Sequence, residues 1–121
     1  MFRRPTPVWL IVWVMVFSAC GPDTIFLRPS LDTPAQHVKN GQCLLDQGKI
    51  DAAYNEFLRA KTLNHRYVPA YVGIALVQGT RGDAAAGLET LRKARFMASD
   101  SAEMALVDDG MSRLQELQLK E

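Results

Sequence analysis

The residue types able to do covalent, acid–base or metal chemistry are few in this chain, and they are scattered. Cysteine occurs at positions 20 and 43 and histidine at 37 and 65. A bound metal needs Cys and His ligands at short, recurring spacings, and no such pair exists here. No glycine-rich phosphate loop is present either. Asp108-Asp109 resembles a carboxylate pair, but neighbours on a helix point about 100° apart and cannot share one proton or one sugar. Cys43 is followed by Leu44 and Leu45 and reads as a small buried core thiol. These residues argue against an enzyme. They leave no catalytic residue, no metal and no cofactor to expect, and Cys20 as the one position with chemistry of its own.

The context of Cys20 is specific. Arg3 and Arg4 give the chain a positive start, and Val8 to Phe17 is an unbroken apolar run holding both tryptophans. That run is about ten residues long, whereas a spanning helix needs about 20. It ends in Phe17-Ser18-Ala19-Cys20, the order of positive region, apolar region and small-residue cleavage site. The ending resembles the lipobox of bacterial lipoproteins, in which small residues precede a cysteine whose sulfur takes a diacylglycerol. Phe17 stands where leucine is usual. The resemblance implies a signal peptide over residues 1–19, lipidation of Cys20, and a chain tied to the membrane through its acyl groups. Each buried methylene adds about 0.8 kcal/mol, and two or three chains make such an anchor effectively permanent. Gly21, rather than Asp, follows the cysteine, which implies the periplasmic face of the outer membrane.

Residues 20–33 contain Pro22 and Pro29 and no helical period, so they read as a tether. Ile25, Phe26 and Leu27 are unusually apolar for a linker and can lie on the membrane or on the domain. Taking Arg3 and Arg4 from the 14 basic residues leaves 12 against 13 acidic ones, a net charge of −1 from Cys20 onward. A near-neutral domain gives no electrostatic argument for nucleic acid, and none is expected as a partner. The only basic run, Arg92-Lys93-Ala94-Arg95, reads as a solvated helix face.

From residue 34 to 119 the texture is helical with regular breaks. Thr33 can cap a first helix, with Pro34 in its first turn and Gln36 closing a capping box. That helix is expected to end near 47–48. Others follow over about 51–63, 68–80 and 83–98, the last capped by Asp83 after Gly82. A fifth, from about 101 to 119, begins with the same box logic in Asp100-Ser101-Ala102-Glu103. The fold class expected is all-α.

The helical part repeats itself at a spacing of 34. His37, Val38, Gly41, Gly48, Phe57 and Ala60 fall on Tyr71, Val72, Ala75, Gly82, Leu91 and Ala94. Period and pattern resemble the tetratricopeptide repeat. Each unit has a large residue then a small one in its first helix (His37 and Gly41; Tyr71 and Ala75) and a glycine in the turn. Its second helix has a small, large, alanine order (Ala53, Phe57, Ala60; Gly87, Leu91, Ala94). Gln78 departs, standing where a large apolar residue is usual. Gly87 also departs, weakening its helix by up to about 1 kcal/mol against alanine. The resemblance implies an α-solenoid of two hairpins, about 35–67 and 69–101, closed by a capping helix at about 102–119. In that last unit Asp108, Asp109 and Gly110 sit where close packing would occur.

Tetratricopeptide units line a groove with their first helices. By resemblance the partner-binding positions are Val38, Gln42, Leu45 and Asp46, with Val72, Leu76, Gly79 and Thr80 from the second repeat. The Lys and Asn pattern that captures a C-terminal carboxylate is absent, with Val38 and Gln42 at its key places, so an apolar groove would take a helix or strand of another protein. Either these residues form an exposed apolar strip, or the fifth helix or residues 25–27 cover it and make it core. The function this implies is a membrane-anchored scaffold or adaptor of the cell envelope, serving secretion, pilus or cell-wall assembly. The alternative is a structural lipoprotein that self-associates, as a homodimer for example.

Overall fold

The computed structural model describes residues 32–120. They form five helices and nothing else regular: α1 (Pro34–Asp46), α2 (Ile50–Leu63), α3 (Val68–Thr80), α4 (Ala84–Met97) and α5 (Ser101–Leu119). The all-α expectation holds, with every boundary within a residue or two of its sequence-based place. The expectations for residues 1–31, including the signal segment, Cys20 and Ile25-Phe26-Leu27, lie outside the described residues.

Local chemistry explains the boundaries. Thr33 Oγ1 accepts from the Gln36 amide at 3.2 Å, and Pro34 opens α1 where its missing N–H costs nothing. The expected capping box is only half formed, because the Gln36 side chain donates forward to Asn40 Oδ1 at 2.9 Å. The first helix of each pair stops in the same way. Gly48 and Gly82 take φ of 75° and 85°, a region that only glycine enters freely. After each glycine the next amide, Lys49 or Asp83, donates back to Leu44 O at 2.9 Å or Gln78 O at 3.0 Å, giving two Schellman stops 34 residues apart. Asp83 and Asp100 cap α4 and α5 through the Ala86 and Glu103 amides. The Glu103 carboxylate turns to the amide and hydroxyl of Ser99, one residue earlier than a standard box.

Short connections make consecutive helices antiparallel, so α1, α3 and α5 run the same way. α1 pairs with α2 and α3 with α4, while α3 also packs on α1, α2 and α5. Its central place matches its sequence, apolar almost all round, with nine buried residues.

Packing depends on one ring. Phe57 of α2 is fully buried, and its face lies against the bare backbones of Gly41 and Gly73. A Cβ on Gly41 would meet the ring at 2.7 Å, and one on Gly73 would come closer still. Leu91, 34 residues on, is fully buried in a second cluster with Ala75 and Val107. There the glycine is Gly110, whose Cβ would meet Leu91 and Val72 at 3.0 Å. The close approach in the last unit thus falls on Gly110, while Asp108 and Asp109 face solvent. Gly110 stands three residues past the 34-residue equivalent of Gly73, Val107, which is fully buried in the same cluster. Gly87, a departure from the pattern, has a packing reason: its Cβ would sit 2.9 Å from the Ala75 carbonyl oxygen. Gln78, the other departure, is only half-buried and accepts from Thr90 Oγ1 at 2.7 Å.

Gly41→Leu forces an overpacked contact on Phe57 and should cost about 1–3 kcal/mol. In a domain of this size each kcal/mol lowers the melting temperature by about 4–8 °C. A calorimetric melt unchanged from wild type would show that the α1–α2 contact is not as described.

Candidate functional site

Two features stand out, at opposite ends of α1. At the far end, the last turns of α1, α3 and α5 enclose a groove of about 260 Å³ lined by Leu45, Leu76, Thr80, Arg113, Glu116, Leu117 and Lys120. Its floor is apolar: Leu45 and Leu117 are half-buried and Leu76 lies deeper. Arg113, Glu116 and Lys120 form a polar wall, at positions that follow one stripe of α5. None of the three is ion-paired among the described residues. The Thr80 hydroxyl donates to the Leu76 carbonyl at 2.8 Å, so it brings no unsatisfied donor to the rim.

The sequence-predicted binding positions divide between this groove and the core. Leu45, Leu76 and Thr80 line it. Gln42 and Asp46 are exposed on α1 beside it. Val38, Val72 and Leu76 are not an exposed strip, and that expectation is corrected: they are 7%, 4% and 3% exposed. Val72 and Leu76 belong to a cluster with Val107 and Leu114 of α5. Val38 packs with Phe57 and Ile74 in the other cluster. Gly79 is buried as well, under Leu114. The fifth helix therefore covers most of the strip, as an amphipathic α5 with Val107, Gly110 and Leu114 at i, i+3 and i+7 must do once it folds onto α3. Arg113, Glu116, Leu117 and Lys120 were missed because they lie outside the two 34-residue units that the sequence pattern covers. The polar-apolar alternation of residues 113–120 was the available signal.

At the other end of α1, His37 is 5% exposed, and each ring nitrogen lies 2.8 Å from a carboxylate, Nε2 from Asp32 Oδ1 and Nδ1 from Glu56 Oε2. Both ring nitrogens are thus engaged by carboxylates. Arg59 of α2 grips Asp32 with a fork, Nε to Oδ1 at 3.2 Å and Nη2 to Oδ2 at 2.5 Å, and Asn40 Nδ2 donates to Glu56 Oε2 at 3.3 Å. The Arg59 guanidinium, joined by the His37 ring, holds the Asp32 carboxyl down at about 2. His65, in contrast, is exposed in the turn between the pairs.

Cys43 is half-buried rather than a fully buried core residue, and its sulfur accepts from Gln47 Nε2 at 3.4 Å. Among the described residues no group of His, Cys, Asp and Glu has the arrangement of a metal site, and no helix is long and apolar enough to cross a membrane. Searches against protein-family profiles, curated proteins and solved structures find no match.

The depressed Asp32 carboxyl fixes the sign of a pH effect. Its folded pKa of about 2 lies below the ordinary 3.8, so its contribution to stability is present above 3.8 and is lost as pH falls toward 2. The melting difference between wild type and Asp32→Asn should therefore be largest near neutrality and vanish at the acid end. A difference constant across the titration would show that the Arg59 and His37 contacts do not stabilise the charged form.

Proposed function

We propose that this chain is a membrane-anchored adaptor of the bacterial cell envelope that binds other proteins, built on two tetratricopeptide-type hairpins and a cap helix. One observation carries the reading: the groove formed by the last turns of three parallel helices, with an apolar floor of Leu45, Leu76 and Leu117 and a polar wall that makes no ion pair among the described residues. Burial of such a floor against a partner contributes about 25 cal/mol per Å² removed from water. The matched stops at Gly48 and Gly82 support the repeat, as do the equivalent buried places of Phe57 and Leu91. The partner class is a helix or strand of another envelope protein. The anchor is the acylated Cys20, after removal of residues 1–19, on the periplasmic face of the outer membrane. The reading assigns no enzymatic role.

A photo-crosslinking residue placed at Glu116 should give a discrete adduct in intact envelopes, whereas the same residue at the exposed Asn55 on α2 should give none. Combining it with Thr80→Arg and Leu117→Asp should abolish the adduct while circular dichroism and melting stay near wild type. Equal adducts from both positions, or one that survives the double change, would sink the groove reading.

The anchor has its own test. Wild-type protein extracted from membranes should carry a diacylglyceryl mass at Cys20, and Cys20→Ser should remove that mass and block processing. The same unlipidated mature mass in both would mean the segment before Cys20 is an ordinary leader.

One observation favours self-association instead: the Phe96 side chain on α4 is 91% exposed. A stable dimer by light scattering that Phe96→Ser converts to a monomer would put that reading first.

A further inference from the structure

The antiparallel order of the helices brings the start of α1 and the exits of α2 and α4 to one end of the bundle, with the groove at the other. At that end the last two turns of α4 carry Arg92, Lys93, Arg95 and Phe96, all exposed, and no acid. Residues three and four apart share a helix face, so Arg92 and Lys93 stand beside Phe96. Phe96 is the most exposed large apolar side chain of the described residues, and Leu63 at the exit of α2 is exposed too, close in sequence to the exposed Arg66. The cations are lightly held. Arg92 meets Glu89 at 3.8 Å and Arg95 meets Asp108 at 3.6 Å, each between exposed side chains, and Lys93 and Arg66 form no ion pair among the described residues. The acids of this end are committed: Asp32 to Arg59, Asp100 to the Glu103 amide, and Glu103 to Ser99. Cations near a helix C-terminus complement its dipole, but the dipole gives no reason for a phenyl ring in water.

Charge decides what covers the ring. A second copy meeting it face to face would set Arg92, Lys93 and Arg95 against the same three cations, which repel. An anionic lipid surface attracts them and takes the ring at the level of its headgroups. We propose that this end of the bundle, through Phe96 with Arg92, Lys93 and Arg95, docks on an anionic lipid surface. The helices then stand on the membrane, and the groove faces away from it at about one helix length, roughly 20 Å. The inference rests on the membrane-anchored reading. Cys20 is twelve residues before Asp32, a span of at most about 40 Å, so an acyl anchor there keeps this end within reach of the surface whatever path those residues take.

The test places the full chain in nanodiscs of phosphatidylethanolamine and phosphatidylglycerol, with a doxyl-labelled lipid as the probe, and reads amide broadening along the domain. The amides of Arg95, Phe96 and Met97 should broaden most, and those of Leu45 and Gly82 at the groove end least. Lys93→Glu combined with Phe96→Ser changes two exposed side chains. Broadening at 95–97 should then fall by at least about fivefold, the loss expected for one cation near an anionic surface. Discs of phosphatidylcholine alone should weaken it in wild type as well, and this comparison needs no variant. A chain that co-migrates with the discs but broadens equally at both ends overturns the proposal and leaves the anchor standing, as does a variant that broadens like wild type. A dimer whose Phe96 is shielded from the lipid label overturns it too, and gives the patch to a second copy. A chain that fails to co-migrate with the discs overturns the anchored reading, and this proposal with it.

Discussion

The structure depends on a ring pressed between two glycines. Phe57 is the largest fully buried side chain, and α1 and α3 reach it only because Gly41 and Gly73 offer no Cβ. Interiors are packed like crystals, so volume removed at the glycines must be supplied by the ring, and neither partner can change alone. That single exchange sets how closely α1, α2 and α3 approach. The position of α3 then sets everything after it, since α4 and α5 both rest on α3. The second cluster repeats the device with smaller parts, Leu91 against Gly110.

Much of this was legible in the sequence because it is carried by local chemistry. Caps and stops depend on residues a few positions apart, so Thr33, Gly48, Gly82, Asp83 and Asp100 place four of the helices without reference to the rest. The spacing of 34 made Gly41 and Phe57 visible as packing partners. Gly73 was not visible, because the residue 34 positions on is Val107, so no matching glycine marks the contact. The Asp32–His37–Glu56–Arg59 cluster was also invisible. Its members are drawn from three segments, and only the fold brings Asp32 to Arg59 across 27 residues.

The candidate groove was half legible, for a physical reason. The pattern identified the faces of α1 and α3 that a repeat would leave open, but it could not weigh them against an amphipathic helix in the same chain. Val72 and Leu76 gain more from Val107 and Leu114 at no cost in association entropy than from any outside partner. What remains open is the end that α5 does not cover with apolar residues: Leu45, the rim at Thr80, and the stripe of Arg113, Glu116, Leu117 and Lys120. The outward face of α5 carries Asp108, Asp109, Ser112 and Gln115, all exposed.

The clip at Asp32 has a mechanical side. A pull on the chain ahead of the domain would, without it, act on the first turn of α1 and peel that helix away residue by residue, one hydrogen bond at a time. With Asp32 gripped by Arg59 as well as by His37, the load is divided between α1 and α2, and α2 is held through Phe57. Contacts loaded side by side must fail together rather than in sequence. Tension that reaches Asp32 is thereby shared between α1 and α2 rather than carried by the first turn of α1 alone.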